Sequence, residues 1–301
     1  MFVKELWGRK ALNRTPKGRL AVHLHLYYQE QLPIILRYLD SLSEIPHDLF
    51  ITLPQENYTL RQQILKFNSD AIIWVADNRG YDVGPFIDFL HRIDLNNYSY
   101  IMKLHTKNNN SDYCRINGFH VIDSLWGSIL WDSLLKNKKR VLNNLAVLEK
   151  DLHIGMLGSQ FLTTHEKNTY RHVLPMVNSI LERMDFHPVE KVTFVAGTMF
   201  LARAFLFQPL LKYKISDFEI TDGRVKDKTL AHAMERVFGA LVTCSGYRIK
   251  KIRQPGFRMK LWRCNLRHFI WKDKISVRGR RTIKIFKIPV YQSVVRKGGI
   301  K

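Results

Sequence analysis

Ala71-Ile-Ile-Trp-Val-Ala-Asp-Asn-Arg-Gly-Tyr-Asp-Val-Gly-Pro-Phe86, followed by Tyr98-Ser-Tyr-Ile-Met-Lys-Leu-His-Thr-Lys107, decides the fold class of this chain. Ala71 to Ala76 is a short apolar run, too brief for a helix, and it reads as a buried strand. Asn78 to Phe86 follows as a turn. Gly80 permits a tight reversal, Asp82 stands where a helix N-cap belongs, and Pro85 falls in the first helical turn. Tyr98 to Leu104 is the next strand. Strand, turn, helix and strand in this order make a parallel crossover unit.

The same alternation extends toward the N-terminus. Leu20 to Leu26 reads as a strand that carries His23 and His25, and Gln29 to Leu42 has helical spacing through Leu32, Ile35, Leu36, Leu39 and Leu42. Leu49 to Leu53 is a strand closed by Pro54, and Leu60 to Phe67 a helix. Toward the C-terminus the spacing predicts a helical stretch over Val121 to Leu148 and a strand over Gly155 to Phe161. An apolar segment, Val192 to Arg203, is broken at Gly197-Thr198, and a helix runs over Asp227 to Val242. Alternation of this kind predicts an α/β fold, a mostly parallel central sheet flanked by helices. Ligands in such sheets gather at the carboxyl ends of the strands. The unusual residues fall there: His25 and Tyr27, then Asn78, Arg79, Gly80 and Asp82, then Lys103, His105 and Lys107.

The net charge is +22, from 48 Lys and Arg against 26 Asp and Glu. Its placement is uneven, because Arg248 to Lys301 holds 18 basic residues and one acid, Asp273, for +17. The sequence therefore divides into a near-neutral 1–247 and a basic, aromatic-rich 248–301. Trp262, Phe269, Ile270, Trp271, Ile283, Ile285, Phe286 and Ile288 are interleaved with Arg and Lys in that tail. Such segments favour anionic lipid surfaces. Nucleic acid is the other polyanion this composition admits, but no helix-turn-helix, zinc-finger or RNP pattern accompanies it, so no nucleic-acid partner is expected. Three cysteines, Cys114, Cys244 and Cys264, are too few and scattered for a disulfide framework or a zinc site and indicate a reducing compartment. No apolar run reaches the ~18–20 residues a bilayer span requires. Met1 to Arg19 has no continuous apolar core of a signal peptide. The expected location is the cytosol, peripheral on the cytosolic face of the inner membrane.

Three constellations carry chemistry. Strand alternation sends Lys103, His105 and Lys107 to one side, a row of potential cations suited to a diphosphate. Asn78 to Pro85 is not a P-loop, since the Gly-Lys-Ser/Thr ending is missing, nor a dinucleotide fingerprint, since the glycine spacing is wrong. The helix it opens favours anionic or acceptor groups, and Asp82 can take ribose hydroxyls. His232, Glu235 and Arg236 sit three and four residues apart on one helix face, opposite an apolar stripe of Leu230, Met234, Val237 and Leu241. A carboxylate or imidazole there could deprotonate a sugar hydroxyl, or the set could be an intrahelical salt-bridge array. Glu235, His232, Asp227 and Asp217 are the base candidates, in that order.

Several segments, taken in order, resemble the rhamnan synthesis protein F family of bacterial polysaccharide enzymes. They are Ala21-Val-His-Leu-His-Leu-Tyr-Tyr28, Asp48-Leu-Phe-Ile-Thr52, Asn78-Arg-Gly-Tyr-Asp-Val-Gly-Pro-Phe86, Tyr100-Ile-Met-Lys-Leu-His-Thr-Lys107, Gly155-Met-Leu-Gly-Ser159, Ala196-Gly-Thr-Met-Phe200 and Leu230-Ala-His-Ala-Met-Glu-Arg236. The resemblance runs from Leu20 to Tyr247 and leaves the basic tail outside. It implies a GT-A-like, nucleotide-sugar-binding fold and transfer of a deoxyhexose such as rhamnose from a nucleotide-diphosphate sugar to a glycan or lipid-linked glycan. Residues 20–107 would then bind the donor, and 108–247 would supply the acceptor contacts and the catalytic base. Enzymes of that fold commonly hold Mg²⁺ or Mn²⁺ through Asp-x-Asp at the end of the fourth core strand. This chain has no Asp-x-Asp, and Lys103-Leu-His-Thr-Lys107 occupies that position. The expectation is a metal-independent enzyme in which Lys103, His105 and Lys107 neutralise the departing diphosphate. The alternative class is a non-catalytic polyanion-binding protein, a membrane tether or nucleic-acid binder.

Overall fold

A computed structural model describes residues 20–108, 113–165, 173–221, 229–275, 280–286 and 288–294. In its first half, β1 (Leu20–His25), α1 (Leu32–Leu39), β2 (His47–Leu53), α2 (Tyr58–Phe67), β3 (Ile72–Val75), α3 (Val83–Leu90) and β4 (Tyr100–His105) follow the expected alternation. Pro33 opens α1, where its missing N–H costs nothing. Asn57 caps α2, its Oδ1 accepting the Leu60 N–H at 3.1 Å. A hairpin of β5 (Tyr113–Ile116) and β6 (Phe119–Ile122) comes next.

The expected single helical stretch after it is two helices, α4 (Asp123–Leu135) and α5 (Lys138–Lys150). Asn137 separates them and accepts the Arg140 N–H at 2.9 Å, starting a new helix instead of continuing the old one. Then come β7 (Ile154–Ser159), β8 (Thr163–His165), α6 (Leu174–Arg183), β9 (Thr193–Val195), β10 (Phe200–Arg203), α7 (Leu230–Cys244), β11 (Arg248–Ile252) and α8 (Pro255–Ile270). A small antiparallel sheet of β12 (Trp271–Ile275), β13 (Arg280–Ile285) and β14 (Ile288–Val294) ends the described chain.

Seven strands form the central sheet in the order β11-β7-β10-β4-β1-β2-β3. β1 pairs parallel with β2 and β4, β2 with β3, and β11 with β7. β10 alone runs antiparallel, wedged between β4 and β7. The apolar segment 192–203 is thus two strands with different partners: β9 pairs β8 outside the main sheet, and the turn at Gly197-Thr198 delivers β10 into it. β11, the first five residues of the basic stretch, closes one sheet edge. Every residue of β1, β4 and β7 is buried, as strands covered on both faces require. Phe86, Phe89, Phe200, Phe207 and Phe238 pack beneath β4 and β10 as the aromatic centre of the core. Among the described residues no helix is long and apolar enough to cross a membrane.

Candidate functional site

A cleft of about 360 Å³ opens at the carboxyl ends of β1 and β4. His25, Tyr27 and Tyr28 line it from β1 and the segment after it. His105, Thr106, Lys107 and Asn108 come from the end of β4, Tyr81 and Asp82 from the turn before α3, and Thr221 closes the rim. A second hollow of about 480 Å³ lies at the opposite end of the sheet. Its walls include Glu44, Asp48 and Asp70, which repel a polyanion, so the smaller cleft is the one suited to phosphate chemistry.

Beneath the cleft, Asp82 joins three groups. Its Oδ2 accepts from the Lys103 ammonium and from the Thr198 hydroxyl, and His105 Nε2 lies 3.7 Å away. Thr198 Oγ1 in turn accepts from Lys103 Nζ at 3.0 Å. Asp82 stands at the N-cap position of α3 but its side chain makes no cap, because the carboxylate is drawn to Lys103 instead. Lys103 is fully buried, its Nζ 5.4 Å from the Phe86 ring centre and 5.9 Å from that of Phe238. Burial pushes the lysine pKa down while the pull of Asp82 opposes it. For Asp82, burial would raise the pKa, but the charge of His105 once acid has protonated it, the charge of Lys103 and the hydrogen bonds from Lys103 and Thr198 outweigh it. The carboxyl is held well below its usual range.

The imidazoles are neutral hydrogen-bonding groups. Burial lowers His25 to about 3 and His105 to about 4. His105 Nε2 lies 2.7 Å from the Gly197 carbonyl and Nδ1 2.9 Å from the Thr106 carbonyl, so its one ring proton serves either of two groups that can only accept. His25 Nδ1 meets Thr52 Oγ1 at 3.0 Å. The three residues that strand alternation placed on one side therefore arrive as a buried ion pair, a neutral imidazole and one cleft-lining lysine. Lys107 is that lysine, with Nζ 5.4 Å from the Trp126 ring centre.

The residues Asn78, Arg79 and Gly80 hold the rim rather than line the cleft. Gly80, at φ 65°, donates its N–H to the Glu219 carbonyl at 3.0 Å. Arg79 Nη1 donates to the Phe218 carbonyl at 2.9 Å, and Asn78 Nδ2 to the Thr221 carbonyl at 3.3 Å. Together they bind the segment that brings Thr221 to the cleft, where its Oγ1 accepts the Tyr81 N–H at 2.9 Å.

The four base candidates are spread out. His232 packs its ring edge-on against cleft-lining Tyr81 at 5.5 Å, with Nδ1 2.6 Å from Thr229 Oγ1. Glu235 Oε1 accepts the Gly197 N–H at 2.6 Å, and its Oε2 meets Arg236 Nη1 at 3.2 Å. Arg236 is buried over the Phe194 ring instead of sharing a solvated face. Asp217 accepts the Lys214 N–H at 2.9 Å at the start of its own turn and approaches Arg183 at 4.0 Å, apart from the cleft lining. Asp227 lies outside the described residues.

Sequence reasoning assigned no role to Tyr28, Tyr81, Thr106, Asn108, Thr198 or Thr221. Tyr28 and Tyr81 stand within the quoted motifs, and Thr106 lies between two chosen residues, accepting the Tyr28 N–H at 2.8 Å. Thr221 reaches the site through an isolated antiparallel bridge between Arg79 and Ile220, which no local pattern announces. Thr198 has φ 50°, a left-handed conformation that a β-branched residue rarely adopts. Asp82 and Lys103 grip its hydroxyl and hold it there.

The described residues lining the cleft do not fit a divalent ion. Asp82 is the carboxylate among the residues lining the cleft, and its Oδ2 already serves Lys103 and Thr198. A second cation would sit against a buried ammonium.

Two curated relatives, both described as uncharacterized protein WxcX, come from Xanthomonas campestris pv. campestris strains B100 and ATCC 33913. Each is 27% identical over 269 residues, covering 82% of this chain and 35% of the relative. The chain thus spans about a third of the length of the relatives it matches. The family profile described as rhamnan synthesis protein F matches residues 4–247, stopping one residue short of β11 and the basic stretch. With most of its length inside that profile, the chain belongs to the rhamnan synthesis protein F family, which ties it to polysaccharide synthesis.

Proposed function

We propose that the chain is a glycosyltransferase that seats a nucleotide-diphosphate sugar in the cleft at the ends of β1 and β4 and passes its sugar, a rhamnose or related deoxyhexose, to a growing glycan. The observation that carries this reading is the make-up of the cleft: one lysine, two neutral imidazoles and three tyrosines at the carboxyl ends of parallel strands. Lys107 meets the pyrophosphate. His25 offers a neutral imidazole to a sugar hydroxyl, His105 braces the cleft floor through the Gly197 and Thr106 carbonyls, and the rings of Tyr27 and Tyr81 give the base a surface to lie on. The sheet, with its single antiparallel strand beside β4, suits a GT-A-like arrangement. His232, against Tyr81, and Glu235, behind Gly197, are the bases in reach of this reading.

The test is a thermal-shift panel of nucleotide sugars, followed by hydrolysis and transfer assays on the hits. A true donor at 100 times its dissociation constant stabilises by about 2.7 kcal/mol. Lys107→Gln should lose most of that shift while keeping the unliganded melting temperature. Turnover should persist in excess EDTA. A panel in which no nucleotide sugar stabilises the protein ends the donor-site reading. Activity abolished by EDTA and restored by Mg²⁺ or Mn²⁺ ends the metal-independent one.

A further inference from the structure

Helix α8 has two apolar faces where a surface helix needs one. Phe257 and Leu261 are buried against the body. On the same side Asn265 Oδ1 accepts the His120 N–H at 2.8 Å, fixing the helix to the β5–β6 hairpin. Met259, Trp262, Leu266 and Phe269 recur at intervals of three and four residues, which aligns them in a second stripe. They are exposed, at 57, 59, 41 and 49 %. Exposed Lys260, Arg263 and Arg267 border one edge of this stripe, and Arg258 borders the other. The apolar surface continues onto the small sheet, where Phe286 packs edge-on against Phe269 and Ile288 and Val290 are exposed.

We infer that this face of α8 lies in the plane of an anionic lipid surface. Apolar side chains between rows of long cationic stems suit the boundary between headgroups and acyl chains, with the apolar tips inserted and the cations reaching back to phosphates. Charge selects this occupant over the others. A second copy would bring one +17 segment against another. Nucleic acid would satisfy the cations but leave Met259 and Leu266 in water. The helix is hydrogen-bonded to a hairpin that begins at Tyr113, five residues after cleft-lining Asn108, so lipid contact would bias the orientation of the cleft above the surface.

The experiment is co-sedimentation of the full chain with phosphatidylcholine vesicles, with and without phosphatidylglycerol. Binding is expected only with the anionic lipid, and it should weaken as salt is added. Arg263→Gln and Arg267→Gln should each weaken it about fivefold. Trp262→Asp should abolish it with the melting temperature unchanged, while Trp262→Phe keeps binding but reduces the blue shift of tryptophan emission on vesicle addition. The inference is overturned if anionic vesicles do not sediment the protein, or if Trp262→Asp leaves binding intact. It is equally overturned if that variant dissolves a vesicle-independent dimer, or if oligonucleotides bind and vesicles do not.

Discussion

Replacing Asp82 with Asn removes the carboxylate that faces Lys103 and keeps the shape of the side chain. Lys103 is fully buried between Phe86, Phe238 and Thr198, so the ammonium would keep only neutral acceptors, the Thr198 hydroxyl and the new amide oxygen, and no counter-charge at position 82. Breaking one side of a buried ion pair costs about 3–5 kcal/mol. Lys103→Met should cost less, because the Asp82 side chain is 19 % exposed and retains the Thr198 hydroxyl. The double variant Asp82→Asn/Lys103→Met should recover part of the loss, leaving the sum of the singles in excess of the double by roughly 2 kcal/mol. Urea unfolding at pH 7 measures all four corners of the cycle. A pH series adds a directional check. In Asp82→Asn the lysine pKa is lower folded than unfolded, so the unfolded chain binds the extra proton below the unfolded lysine value. Stability should therefore rise as pH increases toward about 10. Additive single effects, a loss below about 1 kcal/mol for Asp82→Asn, or a deficit that deepens with alkali would refute the buried-pair account.

Acid should unfold the protein early. His25 and His105 sit at about 3 and 4 when folded against 6.5 for the free side chain, so each costs about 1.4 kcal/mol per pH unit as pH falls from 6.5 toward its folded value. Denaturation midpoints between pH 7 and 4.5 measure this, and a flat profile would contradict burial of neutral imidazoles. Gly197→Ala should destabilise by about 2 kcal/mol or more, since the residue has φ 86° and an added Cβ would meet Trp126 Nε1 at 2.6 Å; an unchanged melting temperature would count against the turn as described. Glu235→Gln separates base from brace. Its amide oxygen still accepts the Gly197 N–H, but buried Arg236 loses its carboxylate partner, so stability should fall by about 3 kcal/mol, while turnover of the folded protein falls at least a hundredfold if Glu235 is the base. Unchanged turnover would pass that role to His232.

The first half of the fold was legible because its signals are local. Short apolar runs between Pro, Gly and Asn marks located β1 to β4 within two residues, and the side-to-side alternation of β4 put His105 and Lys107 at the cleft. Long-range pairings were not legible. Nothing near Gly197 says that the strand after it enters the sheet antiparallel, so Thr198 received no role. The destination of the Lys103 side chain was hidden for a related reason. Alternation gives the side of a strand, but not whether a long side chain turns to solvent or to a carboxylate on the next helix. Hydrophobic periodicity over 121–148 could not show the break at Asn137, which a cap decides. On α8 the two opposed apolar stripes blur any single amphipathic pattern.

The placement of β10 also bears on how the chain is made. β4 gains its second neighbour only when Phe200–Arg203 has been synthesised, nearly a hundred residues after β4 itself. At about 5–20 residues per second, a nascent chain would carry β4 with one bare edge for several seconds. Such an edge is a template for strands of other chains. Synthesis of this protein should therefore lean on ribosome-associated chaperones more than its size suggests, and a fragment stopped after Lys107 should clump.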